Sequence, residues 1–323
     1  MKCAFSIGFV ACAMLLTWPL HAQEVYPVKP VQIITPAAAG NSPDVAARVV
    51  ADRLSLLWKQ QVVIINRPGA GGLIAAQAAS QAEKDGYTLY MTQASTYTVL
   101  PIMQEGKLPF DLDKAFVPIG LIGEQPIAVA VTPALAANSL PELLELIRKT
   151  PGGLLFGATN RGGQSHLTGE LLRSKTGLNL TFVHAAGAAS TINDVSTGRL
   201  PIVFEGIAGL AGAIQGRMVK PLAVASATRL PNMPDLPTVG ETIPGFESKG
   251  WLALMAPAGA PEHIINKVNA DLRMVLDTDD VKQKFEVLGT YPRALSPAET
   301  AAFIRGEQQL WWPLVRQLGA SGK

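Results

Sequence analysis

Two short stretches of small residues have the composition of loops that bind anions. Residues 35–44 read Thr-Pro-Ala-Ala-Ala-Gly-Asn-Ser-Pro-Asp, and residues 160–165 read Asn-Arg-Gly-Gly-Gln-Ser. Each stretch follows an apolar run typical of a strand and precedes a segment typical of a helix. Backbone N–H groups at a helix N-terminus have no partner within the helix and carry partial positive charge, which suits a carboxylate or phosphate. We therefore predict that the two loops hold one small anion from opposite sides of a cleft.

The second stretch also contains a partial signature of catalysis. Ser165 precedes His166, and His184 follows in the sequence, so an exported hydrolase that uses Ser165 with one of these histidines is an alternative function. However, Leu167 stands where the nucleophile elbow of hydrolases has its final glycine. A histidine at this place more often caps or packs against the start of a helix. The histidines also lack metal-ligand spacing, so the sequence predicts no metal site and no cofactor.

The elements that position the first loop follow an alternating order. Strands are predicted at residues 31–34, 61–65 and 87–92, with helices between them, which favours a parallel sheet flanked by helices. Ser42 is predicted as the N-cap of the first helix, with Pro43 at its first position. The helix pattern places four apolar residues on one stripe: Val45, Val49, Leu54 and Leu57. The glycine loop at residues 69–72 lacks the lysine of a P-loop, so we interpret it as a tight turn between strand and helix.

The chain is long enough for two α/β domains. Residues 116–132 are apolar but interrupted by glycine and proline, and we predict a strand that leaves the first domain and enters the second. The proline-rich residues 230–244 are interpreted as a surface traverse back, and residues 250–255 as a return strand. The predicted division is a signal peptide at 1–22, a first domain of 23–124 plus 250–323, and a second domain of 125–249. Capping boxes at residues 139–142 and 296–299 mark two further helix starts.

Composition and the N-terminus indicate an exported protein. The chain has 27 Lys plus Arg against 25 Asp plus Glu, which gives no nucleic-acid footprint. Lys2 precedes an apolar run, and Ala22 ends a plausible cleavage site, so a signal peptide and a periplasmic location are predicted. Cys3 and Cys12 both lie in this segment, which leaves the mature chain without thiols or disulfides. Acylation of Cys12, as in a lipoprotein, is the alternative.

A series of motifs along the whole chain resembles one family. From the Tyr-Pro-Val-Lys-Pro at residues 26–30 nearly to the C-terminus, the sequence resembles the periplasmic solute-binding proteins of tripartite tricarboxylate transporters, the Bug-type receptors. The most recognisable block is Asn-Arg-Pro-Gly-Ala-Gly-Gly at residues 66–72. The other matching blocks, in order, are residues 85–89, 165–167, 169–170, 236–239 and 256–259.

The resemblance implies an α/β type II periplasmic binding protein, with two α/β domains joined by hinge strands and a ligand cleft between them. Such a receptor captures a small mono- or dicarboxylate by hinge closure and delivers it to a membrane transporter or to a sensor partner. It breaks no bond, and a monomer is expected. The residues that the resemblance places at the ligand are Ala37, Ala38, Ala39, Gly40, Asn41, Gln93, Ser95, Asn160, Arg161, Gly162, Gly163, Gln164, Ser165 and Glu205.

The sequence departs from relatives at three places in this set or beside it. Ala37 replaces a common Phe, Arg161 replaces a small polar residue, and Ala185-Ala186 replaces Tyr-Lys. A guanidinium can bind a carboxylate through two parallel hydrogen bonds, so we hypothesise that Arg161 pairs with a second carboxylate of the ligand. The alternative is that Arg161 faces solvent or pairs with Glu170.

Two acidic residues near the loops have expected roles of their own. Asp44 is expected to fix the first loop by accepting a backbone N–H at the helix start, because as a direct contact it would repel an anion. Glu205 follows a predicted strand and could bind an ammonium or hydroxyl group of the solute.

Overall fold

The computed structural model describes residues 26–158, 161–185 and 187–321. The predicted signal peptide with its two cysteines, the ligand residue Asn160 and the departure at Ala186 lie outside the described residues. Within the described ranges, no helix has both the length and the apolar content that a membrane span requires.

The described residues form ten strands and twelve α-helices. The strands are β1 (Val31–Thr35), β2 (Val62–Asn66), β3 (Thr88–Gln93), β4 (Phe116–Val131), β5 (Leu154–Ala158), β6 (Leu180–His184), β7 (Ile202–Gly206), β8 (Lys220–Val224), β9 (Lys249–Pro257) and β10 (Tyr291–Pro292). The helices are α1 (Ser42–Trp58), α2 (Leu73–Ser80), α3 (Ala94–Thr98), α4 (Leu100–Met103), α5 (Leu112–Ala115), α6 (Leu140–Lys149), α7 (Gln164–Thr176), α8 (Ala188–Ser196), α9 (Ile207–Gln215), α10 (Glu262–Leu276), α11 (Asp279–Val287) and α12 (Pro297–Ser321).

The strands follow the order β2-β1-β3-β9-β4-β7-β5-β6, and β8 and β10 also pair with β4. The strands β1, β2 and β3 are parallel, as are β5, β6 and β7. The 16-residue β4 pairs with β9 through its first part and with β7 and β8 through its last part. The strands thus form two groups, the first around the parallel strands β1, β2 and β3 and the second around β5, β6 and β7. The predicted strand that passes from the first group to the second, β4, is therefore confirmed, and so is the return strand, β9.

Each group of strands has hydrophobic cores on both faces. In the first group, Ile33 of β1 packs with α1, α10 and α11, whereas Ile34 packs on the opposite face with α2 and α3. In the second group, Phe204 and Val203 of β7 separate a core with α6 and α7 from a core with α8 and α9. Because successive residues of a strand point to opposite faces, this alternation covers both sides of each sheet with helices.

The last helix, α12, packs against both groups. Its first half places Ile304 in a core of the first group, and its second half places Trp311 and Leu314 in a core of the second. Glu307, between these halves, accepts hydrogen bonds at Oε2 from the indole N–H of Trp251 and of Trp311, each at 3.2 Å. The helix therefore covers one core of each group.

Two local predictions for α1 are wrong. The N-cap is Asn41 rather than Ser42, because the Asn41 Oδ1 accepts the Asp44 N–H at 3.0 Å. In the predicted apolar stripe, Leu54 is buried as expected but Leu57 is 42% exposed, and the buried face of the helix also contains Ala46 and Ala47. The short helices α3, α4 and α5 and the Ala-Gly-rich α9 lack a periodic pattern and were not predicted. The capping box at Ser296 is confirmed, with both reciprocal hydrogen bonds to Glu299 formed. At residues 139–142 the helix start is confirmed but the box is incomplete: the Ser139 hydroxyl accepts the Glu142 N–H, whereas the Glu142 carboxylate accepts the N–H of Asn138.

The glycine loop at residues 69–72 makes a close contact that only glycine permits. Gly72 has a φ of 101°, and a Cβ at this position would lie 2.4 Å from the Thr96 Oγ1 of α3. The loop therefore packs directly against α3. The interpretation of residues 69–72 as a tight turn into α2 is confirmed.

Gly72→Ala is expected to lower the free energy of unfolding by about 1–3 kcal/mol more than Gly106→Ala does. Both glycines have positive φ, so both variants carry backbone strain, but nothing lies within 4 Å of a Cβ at Gly106. Urea unfolding of the two variants measures the difference. Equal losses would show that Thr96 moves aside without cost.

Candidate functional site

The carboxyl ends of the parallel strands bring the predicted ligand residues together in each group. In the register of β1 with β3, Ile34 faces Tyr90, so three residues further Ala37 is level with Gln93. In the register of β5 with β7, Gly157 faces Val203, so the carboxyl end of β5 at Ala158 is level with Phe204, which directly precedes Glu205. Ligands of open α/β sheets bind in crevices outside the carboxyl ends of strands, and all described candidates lie there.

Contacts between the groups show that these strand ends face one another. A Cβ at Gly162 would lie 3.4 Å from the Val99 Cγ1, which places the second loop against the segment that follows α3. A Cβ at Gly289 would lie 2.8 Å from the Ala208 backbone N, at the first turn of α9. The Ser42 hydroxyl donates to the Leu288 carbonyl at 3.3 Å. The N-termini of α1 and α9 therefore meet at the corner formed by residues 288–290.

The first loop is fixed by a buried carboxylate. Asp44 is 1% exposed and accepts hydrogen bonds from three parts of the chain. The Gly40 N–H donates at 2.8 Å, the Arg48 guanidinium at 3.0 and 3.1 Å, and the Asn66 Nδ2 at 2.7 Å. Asn66 Nδ2 also lies 3.0 Å from the Ala37 carbonyl. The expected role of Asp44 in fixing the loop through a backbone N–H is confirmed.

Burial and hydrogen bonding act on the pKa of Asp44 in opposite directions. Burial raises the pKa of this carboxyl, but the hydrogen bonds from Arg48, Asn66 and Gly40 favour the charged form and outweigh it. The pKa therefore lies below the ordinary value, and Asp44 remains ionised at neutral pH.

This network engages the polar groups of some predicted ligand residues of the first loop and leaves the amides of others available. The Gly40 N–H is used by Asp44, and the Asn41 side chain caps α1, so neither group is free to bind an anion in this conformation. Ala37 is 2% exposed, and its N–H donates to the Thr35 hydroxyl at 3.3 Å. Ala38 and Ala39 are exposed, and within the described ranges their N–H groups donate to no protein acceptor. The available donors of this loop are therefore the amides of Ala38 and Ala39.

The second loop is fixed by His166. The Gly162 N–H donates to the His166 Nδ1 at 3.0 Å, and the His166 Nε2 lies 3.6 Å from the Glu170 Oε1. Because Nδ1 accepts, the ring proton is on Nε2 and faces Glu170. The prediction that His166 caps the helix start is confirmed. Both ring nitrogens are engaged within this loop and helix, so His166 is not placed to act as a base for Ser165.

Arg161 lies at the exposed edge of the second loop. Its guanidinium carbon is 5.6 Å from the centroid of the Phe182 ring, within range of a cation–π contact. Glu170 instead pairs with Arg173 at 2.7 Å, so the alternative pairing of Arg161 with Glu170 is wrong. Arg161 is exposed, as the other part of that alternative stated.

The side chains of Gln164 and Gln93 make hydrogen bonds within the protein. Gln164 Nε2 donates to the Ser248 hydroxyl at 3.0 Å, and Ser248 also lies 2.6 Å from the Thr168 hydroxyl. These bonds tie the first turn of α7 to the residue just before β9. Gln93 Nε2 donates weakly to the Ser95 hydroxyl at 3.4 Å. The Gln164 side chain thus positions the loop, whereas Gln93 and Ser95 remain at the strand end beside Ala37.

Ser165 and Glu205 lie next to each other in the second group. Glu205 Oε1 accepts the Gly206 N–H at 2.8 Å, while Oε2 is buried and accepts no hydrogen bond from the described residues. Burial raises the pKa of Glu205, and the Gly206 N–H and the nearby Ser165 hydroxyl offset only part of this rise.

Sequence reasoning missed the residues that hold the loops in place. Arg48 stands four residues after Asp44, a spacing that brings opposite charges together on a helix and could have indicated the pair. Asn66 belongs to the glycine-loop motif, but nothing local indicates that its amide reaches Ala37. Ser248 has no signal, because its partner is 84 residues away. In the described ranges, no group of three or more His, Cys, Asp or Glu side chains is placed to hold a metal ion.

Comparison with known proteins identifies the class. The sequence profile of the "Tripartite tricarboxylate transporter family receptor" matches residues 46–320. "Protein BugT" of Bordetella pertussis is 31% identical over 318 residues, which cover 98% of this chain and 97% of BugT.

Two solved structures extend this similarity to the fold. Rpa4515 of R. palustris, solved with adipate, has 28% identity and a TM-score of 0.77, covering 91% of this chain and 98% of that one. MatC of Rhodopseudomonas palustris, solved with bound malate, has 28% identity and a TM-score of 0.72, covering 90% and 100%.

The fold is therefore that of a type II periplasmic binding protein, with two α/β domains joined by hinge strands. More specifically, the chain belongs to the receptor family of the tripartite tricarboxylate transporters. The resemblance stated from the motifs is confirmed.

Asp44→Asn is expected to lower the free energy of unfolding at pH 7 by about 1–3 kcal/mol, because Arg48 loses its buried ionic partner. Since the folded pKa of Asp44 is depressed, its contribution is present above the unfolded pKa of about 3.9 and is lost as the pH falls through the folded value. The difference between wild type and variant should therefore shrink below about pH 4.

Denaturant unfolding at pH 7 and pH 3 measures this difference. Asp277→Asn is the control, because Asp277 forms a solvent-exposed pair with Lys282 at 2.7 Å, and exposed ion pairs contribute little to stability. A difference between Asp44→Asn and wild type that stays constant with pH would contradict the assignment.

Proposed function

We propose that this protein is an extracytoplasmic receptor that binds a small carboxylate between its two domains and delivers it to a membrane transporter or to a sensor partner. The observation that best supports this proposal is that α1 and α7 begin at strand ends of opposite groups, and that Gly162, just before α7, lies against Val99 of the first group. We propose that the two helix N-termini line one cleft. The backbone amides of the exposed residues Ala38 and Ala39 have no protein acceptor among the described residues. The carboxylates found with Rpa4515 and MatC support this ligand class.

Hinge closure follows from where the ligand would bind. We propose the division into residues 23–124 plus 250–323 and residues 125–249, with β4 and β9 as the hinge. A ligand that contacts the first loop and the second loop at once gains both sets of contacts only when the cleft is closed, so it shifts the population toward the closed form. In the proposed role, the protein acts as a monomer. It binds the ligand and catalyses no covalent reaction. His166, the nearest candidate base, is already engaged by Gly162 and faces Glu170.

Arg161 is proposed to bind a second carboxylate. Its guanidinium is exposed at the edge of the second loop, beside Phe182 and without an acidic partner among the described residues. Because Ala37 has a small side chain, the opposite side of the cleft leaves room for a dicarboxylate that reaches from the amides of the first loop to Arg161. A charged hydrogen bond of this kind contributes roughly 1.5–3 kcal/mol.

A thermal-shift screen at fixed pH against mono-, di- and tricarboxylates tests the ligand class. A ligand that binds only the native state at 100 times its Kd adds about 2.7 kcal/mol of stability and raises the unfolding midpoint. Uncharged amides of the same acids serve as controls. A midpoint raised by uncharged solutes, with none raised by a carboxylate, would contradict the proposal.

The same ligands test Arg161 by calorimetric titration of Arg161→Ala. Dicarboxylate affinity should fall about 10- to 100-fold, and the affinity of the matching monocarboxylate should stay nearly the same. Arg148→Ala, which removes the same charge from the exposed face of α6, is the matched control. An equal loss of affinity for the mono- and the dicarboxylate would show that Arg161 acts on the structure of the loop and does not bind the second carboxylate of the ligand.

Export is the remaining part of the proposal. The apolar N-terminus is proposed to be removed near Ala22, leaving a soluble periplasmic chain that begins at Gln23. Intact-mass analysis of protein from a periplasmic extract should give the mass of residues 23–323. A chain that starts at Cys12 and carries acyl groups would instead establish the lipoprotein alternative.

A further inference from the structure

The corner segment, residues 288–292 of the first domain, makes a close backbone contact with the second domain. Gly289 has a φ of 56°, and a Cβ at this position would lie 2.8 Å from the Ala208 backbone N and 3.0 Å from the Ile207 Cγ2. Both of these atoms belong to the first turn of α9. The space between the two chain segments is therefore already filled, and it has no room for a methyl group at residue 289.

The Tyr291 side chain makes a second contact with the same domain. Its ring packs against the core that α8 and α9 form with the sheet of the second domain. Its hydroxyl donates a hydrogen bond to the Asn232 Oδ1 at 2.7 Å. The corner segment therefore contacts the second domain at two separate places, the start of α9 and residue 232.

The corner segment is itself held firmly on the first domain. The Thr290 N–H donates to the Phe285 carbonyl at 2.8 Å, and the buried Thr290 hydroxyl accepts the Gln125 Nε2 at 3.1 Å. Tyr291 pairs with Glu124 of β4. Because the segment is fixed to its own domain by these bonds, a rotation of the second domain changes the contacts at residues 289 and 291 together.

The contact lies on the side of the hinge strands where the proposed cleft opens. The helix α9 begins directly after β7, at the carboxyl end of that strand. The Leu288 carbonyl accepts the Ser42 hydroxyl, at the start of α1, at 3.3 Å. Both partners thus lie at strand ends that border the proposed cleft, and a rotation that separates these ends also separates Gly289 from α9.

We propose that the corner segment is an interdomain latch, whose docking on α9 and Asn232 stabilises the closed conformation of the receptor. This inference rests on the proposed function, because it concerns the proposed hinge closure. Gly289 and Tyr291 are positioning residues that act through the orientation of the domains. The apparent affinity for a ligand falls in proportion to the population of the binding-competent conformation, so the latch sets part of that affinity. The contacts join protein atoms only, so they also form without ligand.

Gly289→Ala tests the backbone contact, because its methyl group collides with Ala208 only when the corner segment is docked. Isothermal titration of the full mature chain with succinate, malate and citrate should show an affinity reduced about 10- to 100-fold. Gly106→Ala is the matched control. Gly106 lies in the same domain and has a φ of 75°, and nothing lies within 4 Å of a Cβ there, so this variant carries backbone strain without a collision and should keep the wild-type affinity.

A double-mutant cycle tests the side-chain contact. Tyr291→Phe removes the donor and Asn232→Ala removes its acceptor, and each should weaken binding of the same probes about 2- to 10-fold. The double variant should lose no more than the weaker-binding single variant, because both changes remove one and the same bond. Losses that add in full would contradict the latch. The cycle introduces no collision, so it decides the question if Gly289→Ala does not fold.

Small-angle X-ray scattering separates the latch from an effect on the ligand contacts. Without ligand, Gly289→Ala should have a larger radius of gyration than Gly106→Ala, because the docked conformation is less populated. A lower affinity with an unchanged radius, or a larger radius with an unchanged affinity, would contradict the latch.

Failure of the latch and failure of the proposed function give different results. If the probes bind wild type and Gly289→Ala equally well, the latch is wrong and the carboxylate receptor stands. If no carboxylate binds wild type, the proposed ligand class fails, and the scattering of the ligand-free variants alone decides whether the corner segment holds the domains together.

Discussion

The buried carboxylate of Asp44 is the interaction on which the geometry of the first loop depends. A charge that is 1% exposed is tolerated only when donors surround it, and here the donors come from the loop, from α1 and from the end of β2. Since Asn66 also donates to the Ala37 carbonyl, the end of β2 and the loop after β1 cannot move independently. The network uses the Gly40 amide, whereas the backbone amides of the exposed residues Ala38 and Ala39 donate to no acceptor among the described residues. The proposed binding of an anion by this loop therefore depends on where one buried carboxylate already lies.

The second loop is not held by a buried carboxylate. Its first helical turn is hydrogen-bonded to the residue that precedes a hinge strand. Gln164 and Thr168 both contact Ser248, which immediately precedes β9, so the first turn of α7 is linked to a hinge strand. Gln125 of β4 donates to the hydroxyls of Ser42, at 3.3 Å, and Thr290, at 3.1 Å. Residues beside both loops are therefore hydrogen-bonded to a hinge strand or to the residue that precedes it.

The helix α12 adds a third connection between the domains. Burial raises the pKa of Glu307, while the charge of Lys249 and the indole N–H groups of Trp311 and Trp251 act in the opposite direction. Lys249 lies at the start of β9, so a charged group of the hinge faces the middle of α12. Because the helix has side chains in cores of both domains, the proposed closure of the cleft would bend the helix or slide it over one core. Pro313, inside the helix, removes one backbone hydrogen bond near the point where the packing changes from one domain to the other.

Local patterns predicted the elements well, because strand alternation, capping boxes and turn residues are local properties. The long β4 and the return strand were predicted from glycine and proline breaks and from the order of the elements. The predicted N-cap of α1, Ser42, was wrong because Asn41 and Ser42 are both good caps and only the loop geometry decides between them. The partners of Asn66, Ser248 and Glu307 depend on contacts 22 to 84 residues apart, which no local pattern contains. The two loops and their place at the strand ends were thus predictable from the sequence, and the hydrogen bonds that decide which amides remain free were not.

These bonds also make the two sides of the cleft unequal. The first loop offers a ligand backbone amides and little else, because its one acidic residue is fully paired and Ala37 contributes no bulk. The second side presents Arg161, Ser165 and Glu205, which carry charge of both signs and side-chain donors and acceptors. Backbone amides bind any carboxylate of suitable size, whereas fixed side-chain charges distinguish one carboxylate from another. In the proposed receptor, discrimination between solutes therefore belongs to the side chains of the second domain, and the loop amides of the first domain supply the anion site that all solutes share.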